Sequence, residues 1–361
     1  MKDSKRKFLK EAAVAGAGVA FFGMPAVGSA QAGRDGAMLT AQATAVMKLF
    51  GLRYPIFQAP WGGPELASAI SNAGAMGAIA LWGSTPDAAH EAVTRLRSLT
   101  TRAFIVNYVL TFEPRSLPAA LDAGAPVVGF SWGLPSKAVV ASIRNGGAKF
   151  GVQVATVAGA RAALDLGAEY LVCQGHEAGG HIQSSTPLYE LLPPVVEEAT
   201  QIPVLAAGGI GDGLKIRAAL VAGASGVVLG TRFVATRESL AHVEYKNAIV
   251  HAQANDTALS VCFQDGWPAA IHRTLRNGTQ VRWETAGCPA VGARPGEGDI
   301  VATRPNGTRV LRYQITPPQR GDEGTVTDLA MYAGQSVDDV KDVPGAAELV
   351  ARLWAECLAT P

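Results

Sequence analysis

The chain has 361 residues, 48% of them apolar, and its 31 basic and 30 acidic residues leave a net charge of +1. That is enough apolar material for one large domain, or for one large and one small unit. With no long run of like charge, the composition gives no reason to expect nucleic acid or an anionic membrane surface as a partner.

Residues 1–32 read as an export signal rather than as part of the fold. Lys2, Lys5, Arg6, Lys7 and Lys10 make a basic head, and Ala12 to Phe22 is an apolar stretch too short to span a bilayer. Ala30-Gln-Ala32 supplies small residues for cleavage. Ser4-Lys-Arg-Lys-Phe-Leu-Lys10 resembles the twin-arginine export motif, with Lys5 in place of the first arginine. The expectation is a periplasmic protein delivered folded by the twin-arginine machinery without stable membrane insertion, or a cytoplasmic one if the signal does not function.

From residue 55 the chain alternates short apolar runs with amphipathic, alanine-rich segments. The runs read as buried parallel strands at 55–60, 76–81, 103–110, 126–131, 149–155, 170–175, 203–209 and 226–231. The segments between and after them are 64–73, 86–98, 114–123, 136–145, 157–166, 187–200, 212–222 and 237–251; several start with Pro or follow Ser, Thr or Asp, and they often close on Gly, as helices do. Eight such units is the number that closes a (β/α)8 barrel, a TIM barrel, and residues 33–251 are assigned to it. A doubly wound open sheet is the competing fold. It wants GxGxxG after the first strand, and Pro60-Trp-Gly-Gly63 is not that.

After residue 251 the pattern changes. Residues 252–335 read as a small C-terminal cap domain rich in Pro and Gly. Val281-Arg-Trp-Glu-Thr285 and 299–315 are expected to be non-helical, with Asn306-Gly307 turning a hairpin. Residues 336–361 are expected to close the chain with a helix over 344–358. Cys173 sits in a strand as an inert thiol. Cys262 and Cys288 could pair in an oxidising compartment, and no cysteine spacing suggests a metal site.

The chemistry gathers at the ends of strands six, seven and eight. Gln174 to His181 reads QGHEAGGH, followed by Ala206-Ala-Gly-Gly-Ile210 and Leu229-Gly-Thr-Arg-Phe233. Glycines there let backbone approach a phosphate, and the loops after the last two strands are the usual phosphate site of such a barrel. Gly179, Gly180, Gly208, Gly209, Gly230 and Thr231 form the expected cradle. His181 and His176 compete as general base or anion anchor, and position alone leaves the choice open. Asn107 and Gln153 sit at strand ends where they could bond a planar heterocycle. Ala59, Pro60 and Trp61 end strand one, where Trp61 could wall the pocket. Glu177 is a candidate partner for Arg232. With no Ser elbow, HExxH or Walker loop and no strand-end lysine, a bound cofactor is the expected agent of chemistry.

The runs PIFQAPWGG, FIVNY, CQGHEAGGH, PVLAAGGI, VVLGTRF and MYAGQ, in this order, resemble the nitronate monooxygenases, over roughly residues 50–350. The resemblance implies a (β/α)8 barrel with a small second domain, a non-covalent FMN, and oxidation of alkyl nitronates by O2 to carbonyl compounds and nitrite. It implies that His181 is the catalytic base. It places Ala59, Pro60, Asn107, Gln153 and Gln174 near the flavin ring, the glycine sets and Thr231 at its phosphate, and the Tyr332-Ala-Gly334-Gln335 motif close by. The chain departs from the pattern at Trp61, Ile182 and Gln183, where the family more often has Met, Arg and Gly. A flavin-dependent reductase fed by a nicotinamide donor and a non-catalytic FMN-binding protein are the alternatives. An oligomer is compatible with either.

Overall fold

The computed structural model describes residues 41–359, so the export signal expected at 1–32 lies outside the described residues. Eight parallel strands form one sheet. They are β1 (Ile56–Gln58), β2 (Gly77–Ala80), β3 (Phe104–Val109), β4 (Val127–Ser131), β5 (Lys149–Val154), β6 (Tyr170–Gln174), β8 (Val204–Ala207) and β9 (Gly226–Leu229), with β7 (Gly180–His181) in the loop after β6. The order β1-β9-β8-β6-β5-β4-β3-β2 runs once round the fold. A bridge between Phe57 and Met76 joins its ends, so the sheet closes into the (β/α)8 barrel.

Local chemistry explains the outer helices. Thr85, Ser136, Thr156 and Asp212 each accept a hydrogen bond from a backbone N–H three residues on and start the helices Pro86–Leu99, Lys137–Asn145, Val157–Asp165 and Gly213–Val221. Each helix turns alanines and branched aliphatics onto the strands. The bottom of the barrel is plugged by a helix over 41–50, whose Phe50 sits edge-on to Phe57 and Tyr170 at 5.9 and 5.5 Å.

The region after the barrel strands builds two small antiparallel sheets. β10 (Thr257–Ser260) pairs with β11 (His272–Leu275), and β11 pairs with β7. β12 (Ile300–Thr303) pairs with β13 (Arg309–Leu311) and with β14 (Glu323–Gly324). The Asn306-Gly307 turn joins β12 and β13, with Gly307 N–H donating to the Arg304 carbonyl at 2.9 Å. The helix Ala346–Ala359 packs on Gly213–Val221.

Two expectations about helices are overturned. Residues 281–285 are helical, within Gly278–Thr285. Three β-branched residues weaken the local helix signal. The side chain of Asn277 nonetheless caps the start, and Trp283 is buried in a cluster with Cys262, Phe263 and Tyr313. Packing decided what propensity did not. The helix expected from residue 237 starts only at Val243, where the His242 ring accepts from Glu244 N–H. Cys262 and Cys288 carry free thiols, one buried and one exposed. Among the described residues no helix is long and apolar enough to cross a membrane.

Candidate active site

A cavity of about 390 Å3 opens at the carboxyl ends of the barrel strands. Ala59, Pro60 and Trp61 after β1, Asn107 in β3, Gln153 in β5 and Gln174 in β6 all line it. So do Gly179, Gly180, His181, Gly208, Gly209, Gly230, Thr231 and Tyr332. Among the described residues that line it there is no Asp, Glu, Lys or Arg. Any anion held here is held by N–H groups and hydroxyls.

Two of the expected site residues lie behind the wall. Gly334 and Gln335 do not line the cavity. Gly334 N–H donates to Thr231 Oγ1 at 2.9 Å, and Gln335 N–H to the Glu177 carbonyl at 3.0 Å. Ser336, one residue further on, does face the cavity and was not anticipated. Its signal is only its place after the Gly-Gln turn.

The glycines differ in what requires them. Gly179 and Gly334 are a close approach of two backbones: a Cβ on Gly179 would stand 2.3 Å from Gly334 N, and one on Gly334 2.7 Å from Gly179 N. Gly208 has φ +118, a conformation side chains rarely adopt. Gly230 is another matter. Its φ is −100, and the nearest protein atom to an added Cβ is Ala59 Cβ at 3.5 Å, an ordinary contact. Neither backbone nor neighbours demand glycine there. A Cβ at Gly230 would instead take up open space of the cavity.

His181 and His176 are separated by the structure. His181 faces the cavity, and its ring stacks on Trp267 at 4.2 Å between centroids. Its Nε2 is buried without a hydrogen-bond partner. His176 does not line the cavity. Arg273 Nη2 holds it, at 3.0 Å from the His176 carbonyl and 3.3 Å from Nε2, while Arg273 Nε donates to the Ala178 carbonyl. Arg273 thus staples the loop that carries the glycines. The expected Glu177–Arg232 ion pair does not form. Arg232 is buried against Asp342, and the Glu177 carboxylate accepts from Leu188 N–H. Each carboxylate sits where a helix end or a nearer cation satisfies it.

His181 is positioned through its backbone. Gln174 Nε2 donates to the His181 carbonyl at 3.3 Å, and Gln174 Oε1 accepts from Gln183 N–H at 2.9 Å. Gln183 Oε1 accepts from Gln153 Nε2 at 2.8 Å and from Trp132 N–H at 3.0 Å. Gln183, one of the departures from the family pattern, therefore ties three strand ends together. Asn107 has no side-chain hydrogen-bond partner among the described residues.

Trp132 stands at φ +59, left-handed backbone that costs a bulky residue roughly 1–2 kcal/mol. With Trp82 and Trp267 it forms an aromatic wall that also went unread. A signal was present: Trp-Gly follows β1, β2 and β4, at Trp61, Trp82 and Trp132.

Burial pushes the His181 ring down to about 3, and neighbouring His272 adds to this. His272 is pushed down to about 4 by burial. Phe263 N–H donates to His272 Nε2, so its Nδ1–H donates to the Ala270 carbonyl. Both rings are neutral near pH 7. The sign for stability follows. As pH drops below about 6.5 the unfolded chain protonates both rings, while the folded chain resists until about 4 and 3. Folding therefore weakens on acidification through that window, with up to about 1.4 kcal/mol per pH unit from His272. Urea unfolding of His272→Asn at pH 7 and pH 5 should show a shallower acid dependence than the parent. Equal dependence in both would remove this account.

A closed (β/α)8 barrel with a glycine-walled cavity and one unpartnered histidine at its mouth fits a cofactor-dependent oxidoreductase, and the comparisons agree. The nitronate monooxygenase profile matches residues 43–119 and 112–356. Nitronate monooxygenase of Pseudomonas aeruginosa is 30% identical over 86% of this chain and 97% of its own. The solved nitroalkane oxidase of Streptomyces ansochromogenes superposes with a TM-score of 0.69 at 30% identity, covering 87% of this chain and 98% of that one. FabK from Thermotoga maritima superposes with a TM-score of 0.71 at 28% identity, covering 88% and 96%. The chain belongs to the nitronate monooxygenase family, whose members are flavin-dependent oxidoreductases.

Proposed function

We propose that this protein holds FMN non-covalently and oxidises alkyl nitronates with O2, releasing a carbonyl compound and nitrite. One observation carries the reading: a single uncharged cavity combines a glycine wall that, at Gly230, no protein neighbour requires, with the unpartnered Nε2 of His181. Backbone N–H groups at Gly208, Gly209 and Gly230, with the Thr231 and Ser336 hydroxyls, would hold the phosphate. Asn107, Gln153 and the Ala59-Pro60 backbone would face the planar ring. Bound there, FMN would supply the redox chemistry between the nitronate and O2.

The chain's own part is acid–base and positional. Neutral His181 takes the α-proton of a neutral nitroalkane: burial weakens it as a base, the negative charge that develops on the nitronate beside it raises its basicity, and Gln174 keeps the ring in place through the His181 carbonyl. A pre-formed nitronate needs no such transfer. Tyr332 faces the cavity, but its hydroxyl donates to the Ile315 carbonyl at 2.8 Å and so is not a free acid.

A reductase using a nicotinamide donor is the second reading, and the likeness to FabK favours it. Anaerobic mixing of the yellow protein with NADH, NADPH and ethyl nitronate separates the two by which reagent bleaches the flavin.

Gly230→Val is expected to strip FMN and leave the barrel folded, because the new side chain meets no protein atom closer than ordinary contact at its Cβ. Released flavin per mole of protein, read beside far-UV circular dichroism, checks it. A Gly230→Val protein as yellow as the parent would place the phosphate elsewhere.

A further inference from the structure

The cavity has two unlike sides. In barrel order β8 and β9 lie across from β3 and β4. The glycine wall stands at the ends of β8 and β9. Facing it, Trp132 follows β4, Val109 ends β3, Trp82 follows β2, and Trp267 reaches in from the segment before β11. Trp267 is the hub. Its ring lies 4.8 Å from Trp132, 6.3 Å from Trp82 and 4.2 Å from the His181 ring. His181 therefore sits where the aromatic side meets the rest of the cavity.

Trp132 is held against its backbone preference. It adopts φ +59, and its N–H is fixed by Gln183 Oε1 at 3.0 Å. A strained, bulky residue pinned by a hydrogen bond and aimed into a cavity points to use there. No charged side chain lines this side either, so a substrate with a second carboxylate or phosphate finds no partner. Small alkyl groups leave such a wall largely uncovered. A planar ring covers it, with the edge and offset contacts that aromatic groups favour at centroid distances of about 4.5–7 Å.

We propose that the organic group of the substrate is an aryl ring, seated against Trp132 and Trp267 so that the carbon bearing the nitro group lies beside His181. Gln183 is the positioning residue of this chamber. The proposal rests on the nitronate reading above. A planar ring could also come from a nicotinamide donor, and the uncharged lining favours the aryl substrate.

The test uses the FMN-loaded enzyme. Nitrite release is measured with the nitronates of phenylnitromethane and of nitroethane. Phenylacetate and acetate, which cannot react, are titrated in parallel and read by the shift in flavin absorption. The expected result is a kcat/KM at least about tenfold higher for the aryl nitronate, carried mostly by KM, and phenylacetate binding at least about tenfold tighter than acetate. Trp132→Gly relieves the backbone strain while removing the ring, so it should fold. It should collapse the aryl preference, lowering kcat/KM for the aryl nitronate at least about tenfold more than for ethyl nitronate. Trp132→Phe should restore much of the preference. Gln183→Gly should raise KM for the aryl nitronate with kcat little changed.

Equal kcat/KM for both nitronates, with phenylacetate no tighter than acetate, overturns the proposal and leaves the nitronate reading standing. Tight phenylacetate binding without turnover of either nitronate supports the aryl chamber and sinks the nitronate reading. Rapid anaerobic flavin bleaching by NADH or NADPH that phenylacetate blocks assigns the wall to a nicotinamide and overturns the proposal.

Discussion

His181→Ala is expected to lower kcat/KM for neutral nitroalkanes by about 10²–10⁴-fold, the usual contribution of a positioned general base. FMN content should not change, because no part of the cradle depends on the imidazole. The loss should be much smaller with pre-formed nitronates, whose α-proton is already gone. His176→Ala should affect both substrates less, since its ring is held by Arg273 outside the cavity. Initial rates of nitrite release with nitroethane and with ethyl nitronate, measured side by side, decide it. A His181→Ala enzyme that turns over neutral nitroethane at the parental rate would falsify the base assignment.

The second large effect belongs to a residue that touches no substrate. Gly179→Ala places a methyl group 2.3 Å from Gly334 N and 2.5 Å from the Ala333 carbonyl carbon. Both are backbone atoms, so no side chain can swing aside. Overpacking of this kind costs about 1–3 kcal/mol and sometimes more. Because Gly334 N–H also donates to Thr231 Oγ1, the displaced segment should loosen the phosphate end of the cavity as well. The expected outcome is a lower Tm together with weaker FMN retention. Gly180→Ala serves as the control: φ is +77, but nothing lies within 4 Å of its Cβ. It should cost backbone strain only. If Gly179→Ala melted no lower than Gly180→Ala, the close approach would not be what the glycine is for.

The barrel was legible because each strand is a short apolar run and each following helix announces its start. Ser136 and Asp212 are caps that a reader of the sequence can point to, and they cap. The glycine sets were legible as a group but not one by one. Sequence alone does not distinguish Gly179, required by a neighbouring backbone, from Gly230, which no neighbour requires. The hydrogen bonds of Gln183 were beyond reach for a related reason. They join residues 30 and 51 positions apart, and only the strand order brings these together. Arg232 illustrates the same limit: Glu177 is its candidate partner by sequence, whereas its actual partner Asp342 lies 110 residues on. The helix Gly278–Thr285 was missed because its stability comes from the burial of Trp283, not from helix-forming residues.

The two-residue strand β7 ties the histidine at the cavity mouth to the chain's later segment. Its ladder continues beyond the strand, with Ile182 N–H donating to the Ile271 carbonyl at 2.9 Å. The barrel supplies the vessel and the glycine wall, yet His181 is seated by a strand partner encoded some ninety residues later. The barrel is therefore not a detachable module. A chimera that transplants residues 41–251 without β10 and β11 leaves His181 on an unpaired loop, and without Gly334 it also loses the backbone that Gly179 abuts and that donates to Thr231. Loop exchange between relatives will carry function only when both halves of this small sheet travel together.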